Sequence, residues 1–198
     1  MPEIEYVEDR MESEELLERL CPPVRNWFKD KFPDFTEPQK VAIPRILNGE
    51  HLLLCSPTGS GQTLTAFLTI IDELVRRSLD GSLPDAVQCV YISPIKALAN
   101  DIEKNLMGPL GEIKERYLPS RAKEIKVGLR TGDTPQSERE KMLRKPPHIL
   151  ITTPESLGLG LASKRFRPIL DQMKWFIIDE MHSLVPTKRG THLSLSMA

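Results

Sequence analysis

Cysteine is scarce in this chain, with three in 198 residues. Cys21, Cys55 and Cys89 are odd in number and far apart, which excludes a disulfide framework and a zinc site. Two of them lie in apolar runs, so they read as buried free thiols of a reducing, cytoplasmic interior. Long hydrophobic runs are missing as well: nothing approaches the roughly 18 apolar residues that cross a bilayer, and no membrane partner is expected. The opening MPEIEYVEDR is acidic where a secretory leader is basic and then apolar. No internal repeat, Gly/Ser linker or large charge of one sign is present, the formal net charge being −1. These absences leave one soluble domain with a small appendage at most.

Hydrophobic residues at 39% and charged residues at 28% are values of an ordinary soluble protein. The charge is unevenly spread. Residues 1–20 hold eight acidic and two basic side chains, which leaves the rest of the chain mildly basic. That balance is compatible with a polyanion but does not by itself argue for one.

Residues 1–12 lack apolar periodicity and read as a flexible acidic tail. Residues 13–50 read as a helical extension. Ser13 is a candidate N-cap, with Leu16, Leu17 and Leu20 on one face. Pro22 and Pro23 stop that helix and start another, whose Val24, Trp27 and Phe28 face a core. Thr36-Glu37-Pro38-Gln39 forms a capping box that opens a third helix, and Pro44 is expected to kink or end it. From residue 51 onward, short apolar runs alternate with amphipathic stretches. Residues 52–55, 87–93, 125–129, 149–152 and 175–178 read as buried strands. Helices are expected near 62–78, 97–117, 135–144 and 154–163. This alternation predicts an α/β fold over residues 51–198: a mostly parallel sheet with helices on both faces.

The first apolar run leads into Ser56-Pro57-Thr58-Gly59-Ser60-Gly61-Gln62-Thr63 and then into an amphipathic helix. Glycines there let backbone N–H groups close around phosphate oxygens, and the helix N-terminus adds a positive field. The Thr63 hydroxyl is placed to ligate Mg²⁺. Gln62 stands where such a loop normally carries lysine. A neutral amide replaces a charge on the β and γ phosphates, so hydrolysis should suffer more than binding. A plain strand-to-helix turn is the alternative for this segment taken alone.

A second signature ends the last run, where Trp175–Ile178 leads to Asp179-Glu180-Met181-His182. One carboxylate at a strand tip, Asp179, can hold a Mg²⁺ water shell, and the next, Glu180, can orient or deprotonate an attacking water. His182 could couple that site to nucleic acid or to another domain. A solvated loop is the competing reading. The two signatures reinforce each other, because both sit at strand ends, in order, about 120 residues apart.

Together the blocks WFKDKFPDFTEPQKVAIP, SPTGSGQT, YISPIKALANDIEKNL, RTGDT, TTPESL, IIDEMH and TKRGTHLSLS resemble the first RecA-like lobe of a superfamily 2 DExH-box helicase, and most of all the Lhr (large helicase-related) family. They span residues 27–196. The resemblance implies a RecA-like P-loop fold, ATP and Mg²⁺ as cofactors, and a single strand of DNA or RNA held by its backbone. It also implies a second RecA-like lobe, which completes the ATP site.

Carried over residue by residue, Gln39 resembles the adenine-reading glutamine and Phe32 is a candidate to stack on the ring, although Gln39 also completes the capping box. Ser93-Pro94-Ile95-Lys96-Ala97-Leu98, Arg130-Thr131-Gly132-Asp133 and Thr152-Thr153-Pro154-Glu155-Ser156 match motifs that the family places against the nucleic-acid backbone. The expected contacts are Pro94, Lys96, Arg130, Thr131, Gly132, Thr153, Pro154 and Glu155. Each segment also reads as an ordinary turn or helix start. The run Lys164-Arg165-Phe166-Arg167 reads as a solvated helix end. Two glycines within Leu157–Leu161 depart from the firmer helix expected there.

In the resembled family a Ser-Ala-Thr motif follows on a strand beside the DEMH strand, and the sequence to Ala198 stops before it. A vacant slot in the sheet is the expectation. Three functional readings follow: the amino-terminal ATP-binding lobe of a helicase, binding but not hydrolysing ATP alone; a degenerate, non-hydrolysing binding module; or a truncated remnant.

Overall fold

The computed structural model describes residues 5–57, 60–93 and 102–184. The chain divides into two compact units that interleave in sequence. One contains residues 1–81 and 103–122, the other residues 82–102 and 123–198.

The first unit is helical. Its elements are α1 (Ser13–Arg19), α2 (Pro22–Lys31), α3 (Glu37–Leu47), α4 (Gln62–Asp80), a π-helical turn (Glu103–Met107) and α5 (Gly108–Tyr117). Pro22 opens α2 in the position where a missing N–H costs nothing. Leu16, Val24, Trp27, Phe28, Ala42 and Ile43 are buried together with the apolar stripe of α4, the pattern of an amphipathic helix against a core. Phe28 stacks on Phe35 with ring centroids 4.0 Å apart. The Trp27 indole donates to Glu112 of α5 at 2.7 Å, Lys31 pairs with the same carboxylate at 2.8 Å, and Tyr117 donates to Asp30.

A buried ionic knot joins α1, α2 and α4. Asp72 accepts from the Cys21 amide at 2.6 Å and from Arg76 Nε at 2.7 Å, and Arg76 reaches on to the Arg19 carbonyl. Burial, reinforced by the Asp72 charge, pushes the Cys21 thiol up to about 12. Residues expected as a mobile tail follow α3: the Met11 amide donates to Lys40 O at 3.1 Å and Arg45 donates to Asp9 O at 2.9 Å.

Three expectations for this unit need correction. Ser13 is the first helical residue of α1 rather than its cap, which is Glu12. Pro44 does not end α3, which runs on to Leu47. Leu52–Cys55 is not a strand. Leu53 is 64% exposed and Cys55 is exposed, so only Cys21 and Cys89 are buried thiols. A strand is stabilised by its ladder partners, and the described residues of this unit contain no strand to pair with.

The second unit holds β1 (Cys89–Ile92), β2 (Val127–Arg130), α6 (Gln136–Arg144), β3 (Ile149–Thr152), α7 (Pro154–Leu161), a 3₁₀ turn (Arg167–Leu170), β4 (Trp175–Ile178) and α8 (Met181–Leu184). The sheet is parallel throughout, in the order β2-β3-β1-β4. Parallel strands are expected to be buried on both faces, and β1 and β3 are fully buried. One face carries Val90, Ile92 and Leu150 against Leu157, Phe166 and Ile169. The register aligns Arg130 with Thr152 and Ile92 with both Thr152 and Ile178, so the strands end in a common row. In an open α/β sheet that carboxyl row is where ligands bind.

Candidate functional site

In the helical unit, the start of α3 is docked on the loop that precedes α4. The capping box forms, with Gln39 Oε1 accepting from the Thr36 amide at 2.9 Å. The Thr36 hydroxyl donates to Ser60 O at 2.8 Å. Gln39 is buried, and its Nε2 lies so near Gly61 that a Cβ there would stand 2.8 Å from it. Gly61 has φ +86°, a left-handed conformation suited to glycine, and it caps α4. Gln39 thus closes the helix cap with its oxygen, and its nitrogen faces the loop without a hydrogen bond among the described residues.

The loop is closed by its own side chains. Gln62 Nε2 donates to Ser56 O at 2.7 Å, the Ser56 and Ser60 hydroxyls lie 2.5 Å apart, and the Ser60 amide donates to Pro57 O at 3.2 Å. Gln62 therefore commits its amide to the loop backbone. Thr63 is in the first turn of α4 and half-buried. Phe32, at the end of α2, is half-buried against Trp27 and Phe28 with centroids 5.8 and 5.0 Å away. Thr58 and Gly59 lie outside the described residues.

In the sheet unit, Asp179 follows the tip of β4. Its amide donates to Ile92 O at 2.8 Å, its Oδ2 accepts from the buried Tyr91 hydroxyl, and its Oδ1 accepts from the Glu180 amide at 2.9 Å. The carboxylate is oriented from both sides. Glu180 has φ +51°, the one non-glycine residue with positive φ among the described residues, and such a conformation persists where the surroundings enforce it. Its carboxylate meets exposed His182 Nε2 at 3.1 Å. Among the described residues no cluster of three metal-ligating side chains exists. Mg²⁺ does not need one, since it takes one or two protein oxygens together with phosphates and water. The Thr63 hydroxyl in the helical unit and the Asp179 carboxylate in the sheet unit are each, taken separately, a donor of that hard-oxygen class.

Two of the segments expected to meet a nucleic-acid backbone begin at the carboxyl ends of β2 and β3. Thr152 Oγ1 donates to Arg130 O at 2.7 Å, and Thr153 caps α7 by accepting from the Ser156 amide at 3.3 Å, with Pro154 and Glu155 in the first turn. Arg130, Thr153, Pro154 and Glu155 are thus neighbours across β2 and β3. The Thr131–Thr134 turn is braced by Arg139, which donates to the carbonyls of Thr134, Thr131 and Gly132 at 2.9, 3.1 and 2.9 Å. Pro94 and Lys96 lie outside the described residues.

Two supporting residues are assigned no role by the sequence. Tyr91 orients Asp179, and its signal is a tyrosine in an aliphatic strand, whose buried hydroxyl requires a partner. Arg139 lies on α6, in a charged surface pattern with no distinguishing mark. In the basic run, Arg165 forks onto Glu140 at 3.1 and 2.9 Å and Arg167 donates to Leu161 O at 2.6 Å.

A phosphate-loop segment set on a glutamine-capped helix, and an acidic pair at the tip of a parallel strand, are the parts of a helicase motor lobe. Residues 36–198 match the DEAD/DEAH box helicase family, and the chain belongs to it. Within that family it is similar to the Lhr helicases. It is 48% identical over its whole length to the ATP-dependent helicase Lhr-Core of Methanocaldococcus jannaschii, of which it covers 24%. It is 43% identical over 90% of its length to the Lhr helicase/uracil glycosylase of Escherichia coli, of which it covers 12%. The chain spans about a quarter or less of these relatives. Its fold is RecA-like: the structure of Mycobacterium smegmatis helicase Lhr bound to ssDNA and AMP-PNP matches 91% of the chain, and 23% of that chain, with TM-score 0.79 and 44% identity. Mss116p bound to ssRNA and AMP-PNP shares the fold with TM-score 0.74 at 22% identity, over 96% of this chain and 36% of its own.

Proposed function

We propose that this chain is the amino-terminal ATP-binding lobe of a DExH-type, ATP-dependent DNA or RNA helicase, and that by itself it binds Mg-ATP without turning it over. The observation that carries the reading is the seating of Gln39 Nε2 against Gly61. It sets an amide donor able to read an adenine edge beside the loop whose backbone receives phosphates. Ser56, Pro57, Thr58, Gly59, Ser60, Gly61, Gln62 and Thr63 form the phosphate cradle, and Phe32 offers an aromatic face to the base.

Thr63 and Asp179 are the oxygen ligands for Mg²⁺, which when bound would neutralise phosphate charge. Glu180 orients the attacking water, with His182 paired to it. Pro94, Lys96, Arg130, Thr131, Gly132, Thr153, Pro154 and Glu155 hold the backbone of a single strand. The relative from Mycobacterium smegmatis, bound to ssDNA and AMP-PNP, supports both ligand classes. A second RecA-like lobe completes the ATP site, and the three free cysteines support a reducing, cytoplasmic setting.

The Gln62–Ser56 bond favours one further reading, a binding module that never hydrolyses, since the amide at the lysine position faces the loop carbonyl. Equilibrium binding of a fluorescent ATP analogue, with and without Mg²⁺, to this chain and to Gln62→Lys tests the proposal. Saturable, Mg-dependent binding that tightens about tenfold or more with lysine is expected, the worth of one charged hydrogen bond. Absence of binding by both forms would overturn it. Hydrolysis by the Gln62→Lys lobe once joined to a second lobe separates the motor from the module.

A further inference from the structure

Arg130 ends β2 with a half-buried guanidinium whose centre lies 4.2 Å from the centroid of the Phe166 ring. Among the described residues it makes no side-chain hydrogen bond or ion pair, so its N–H donors are unbonded. Burial first, and then the nearby Arg139 charge, lowers its pKa from the ordinary value. Among the described residues the Arg139 side chain in turn bonds only backbone carbonyls of the adjoining turn. Two guanidinium groups thus share one end of the sheet, and among the described residues neither is paired with a carboxylate, an arrangement suited to an anion.

The ring that carries Arg130 is itself fixed. Phe166 is 1% exposed, packed in the cluster with Leu150, Leu157 and Ile169. Its edge rests on the backbone of Gly160 in α7, where a Cβ would come within 2.7 and 2.8 Å of ring carbons. Glycine inside a helix costs about 1 kcal/mol relative to alanine, and the ring seat gives Gly160 a physical reason. Arginine stacks flat on aromatic faces and keeps its in-plane donors available. The contact with the ring therefore restrains the guanidinium without using its hydrogen bonds.

We infer that Phe166, seated on Gly160, is a positioning residue that holds the Arg130 guanidinium ready for a phosphate of the bound strand. The inference rests on the nucleic-acid reading above and deepens it, since Phe166 lies outside every motif and in a basic run whose two arginines are otherwise engaged. The ring reaches the nucleic acid only through Arg130.

The test is a double-mutant cycle on the full chain: wild type, Arg130→Ala, Phe166→Leu and the pair. Binding of a fluorescein-labelled oligo(dT) and an oligo(U) is measured by anisotropy across a salt series. Phe166→Leu is expected to weaken binding about three- to tenfold and to lower the salt slope by a fraction of the roughly 0.7 per phosphate contact on a single strand. In the Arg130→Ala background Phe166→Leu should add nothing. Arg130→Lys, which keeps the charge and loses the planar stack, should behave like Phe166→Leu, and Phe166→Tyr should retain binding.

A separate readout needs no nucleic acid: the Arg130 Nε–H and Hδ resonances should be shifted by the ring current in wild type and lose that shift in Phe166→Leu. If wild type binds, Arg130→Ala weakens it and Phe166→Leu has an equal effect in both backgrounds, the positioning role is overturned while the nucleic-acid reading stands. If neither oligonucleotide binds, both fall, even where the ring-current shift is present. Gly160→Ala, which pushes the ring from below, provides a second variant should Phe166→Leu fail to fold, and it should reproduce the loss of binding.

Discussion

The Nε2 atom of Gln39 and the α-carbon of Gly61 are packed so closely that a methyl group at Gly61 would stand 2.8 Å from the nitrogen. The start of α3 and the start of α4 are thereby held as one piece. Gly61→Ala should suffer twice, from the left-handed φ of +86° and from the collision. Gly81 provides the control, since its φ is +78° and no atom lies within 4 Å of the corresponding Cβ position. Both substitutions should cost about 1–3 kcal/mol of stability through backbone strain, read by urea unfolding. Only Gly61→Ala should also weaken binding of the ATP analogue; equal binding by the two variants would remove the contact from the nucleotide site.

Tyr91→Phe deletes the hydroxyl that orients Asp179 and leaves the ring in place. A hydrogen bond to a charged acceptor contributes about 1.5–3 kcal/mol, and the half-buried setting puts the expected stability loss at the lower end. The functional expectation is sharper. Mg-dependence of nucleotide binding should weaken while Mg-independent binding stays unchanged, as measured by titrations in EDTA and in Mg²⁺.

Asp72→Ala removes the acceptor shared by Cys21 and Arg76 in a site where Asp72 is 1% exposed. Stability should fall by about 2–3 kcal/mol, because a buried amide loses its partner while the 42% exposed Arg76 recovers part of its loss in water. Arg76→Met should cost clearly less in the same urea series. The reverse ranking would place the stabilisation in the ion pair rather than in the amide.

His148 is fully buried, with Nδ1 accepting from the Lys126 amide at 2.8 Å. Burial first, then the charges of Lys123 and Lys126, lowers its pKa, while Asp85 partly opposes them. The folded state thus binds its proton later than the unfolded chain does. The resulting stability is present above the unfolded pKa of about 6.5 and is lost as pH falls from there to the folded pKa, with a slope of at most ~1.4 kcal/mol per pH unit. Urea midpoints should drop across that interval, and His148→Gln should flatten the profile.

Much of this was legible from residue patterns. Ile149–Thr152 and Trp175–Ile178 were bounded correctly because Pro, Lys and acidic residues interrupt the aliphatic run at each side. The capping box at Thr36 and Gln39 was visible because it is a local hydrogen-bond exchange. What stayed hidden is what tertiary contact decides. Leu52–Cys55 has the composition of a strand, yet the described residues of its own unit provide no ladder. Pro44 is accommodated within α3. Phe166 was masked by the cations around it, and the Gly160 that receives its ring looked like a defect in α7.

Interleaving of the two units has a consequence for how the chain matures on the ribosome. The indole of Trp27 waits for Glu112, which is made 85 residues later, and α2 gains its α5 neighbour only after the segment of residues 82–102 has emerged. Nascent α2 therefore exposes an unfinished aromatic surface for several seconds at ordinary translation rates of about 5–20 residues per second. A cut anywhere between residues 81 and 103 would separate the helical unit into two pieces, so a proteolytic nick there is predicted to loosen both units together rather than release one intact.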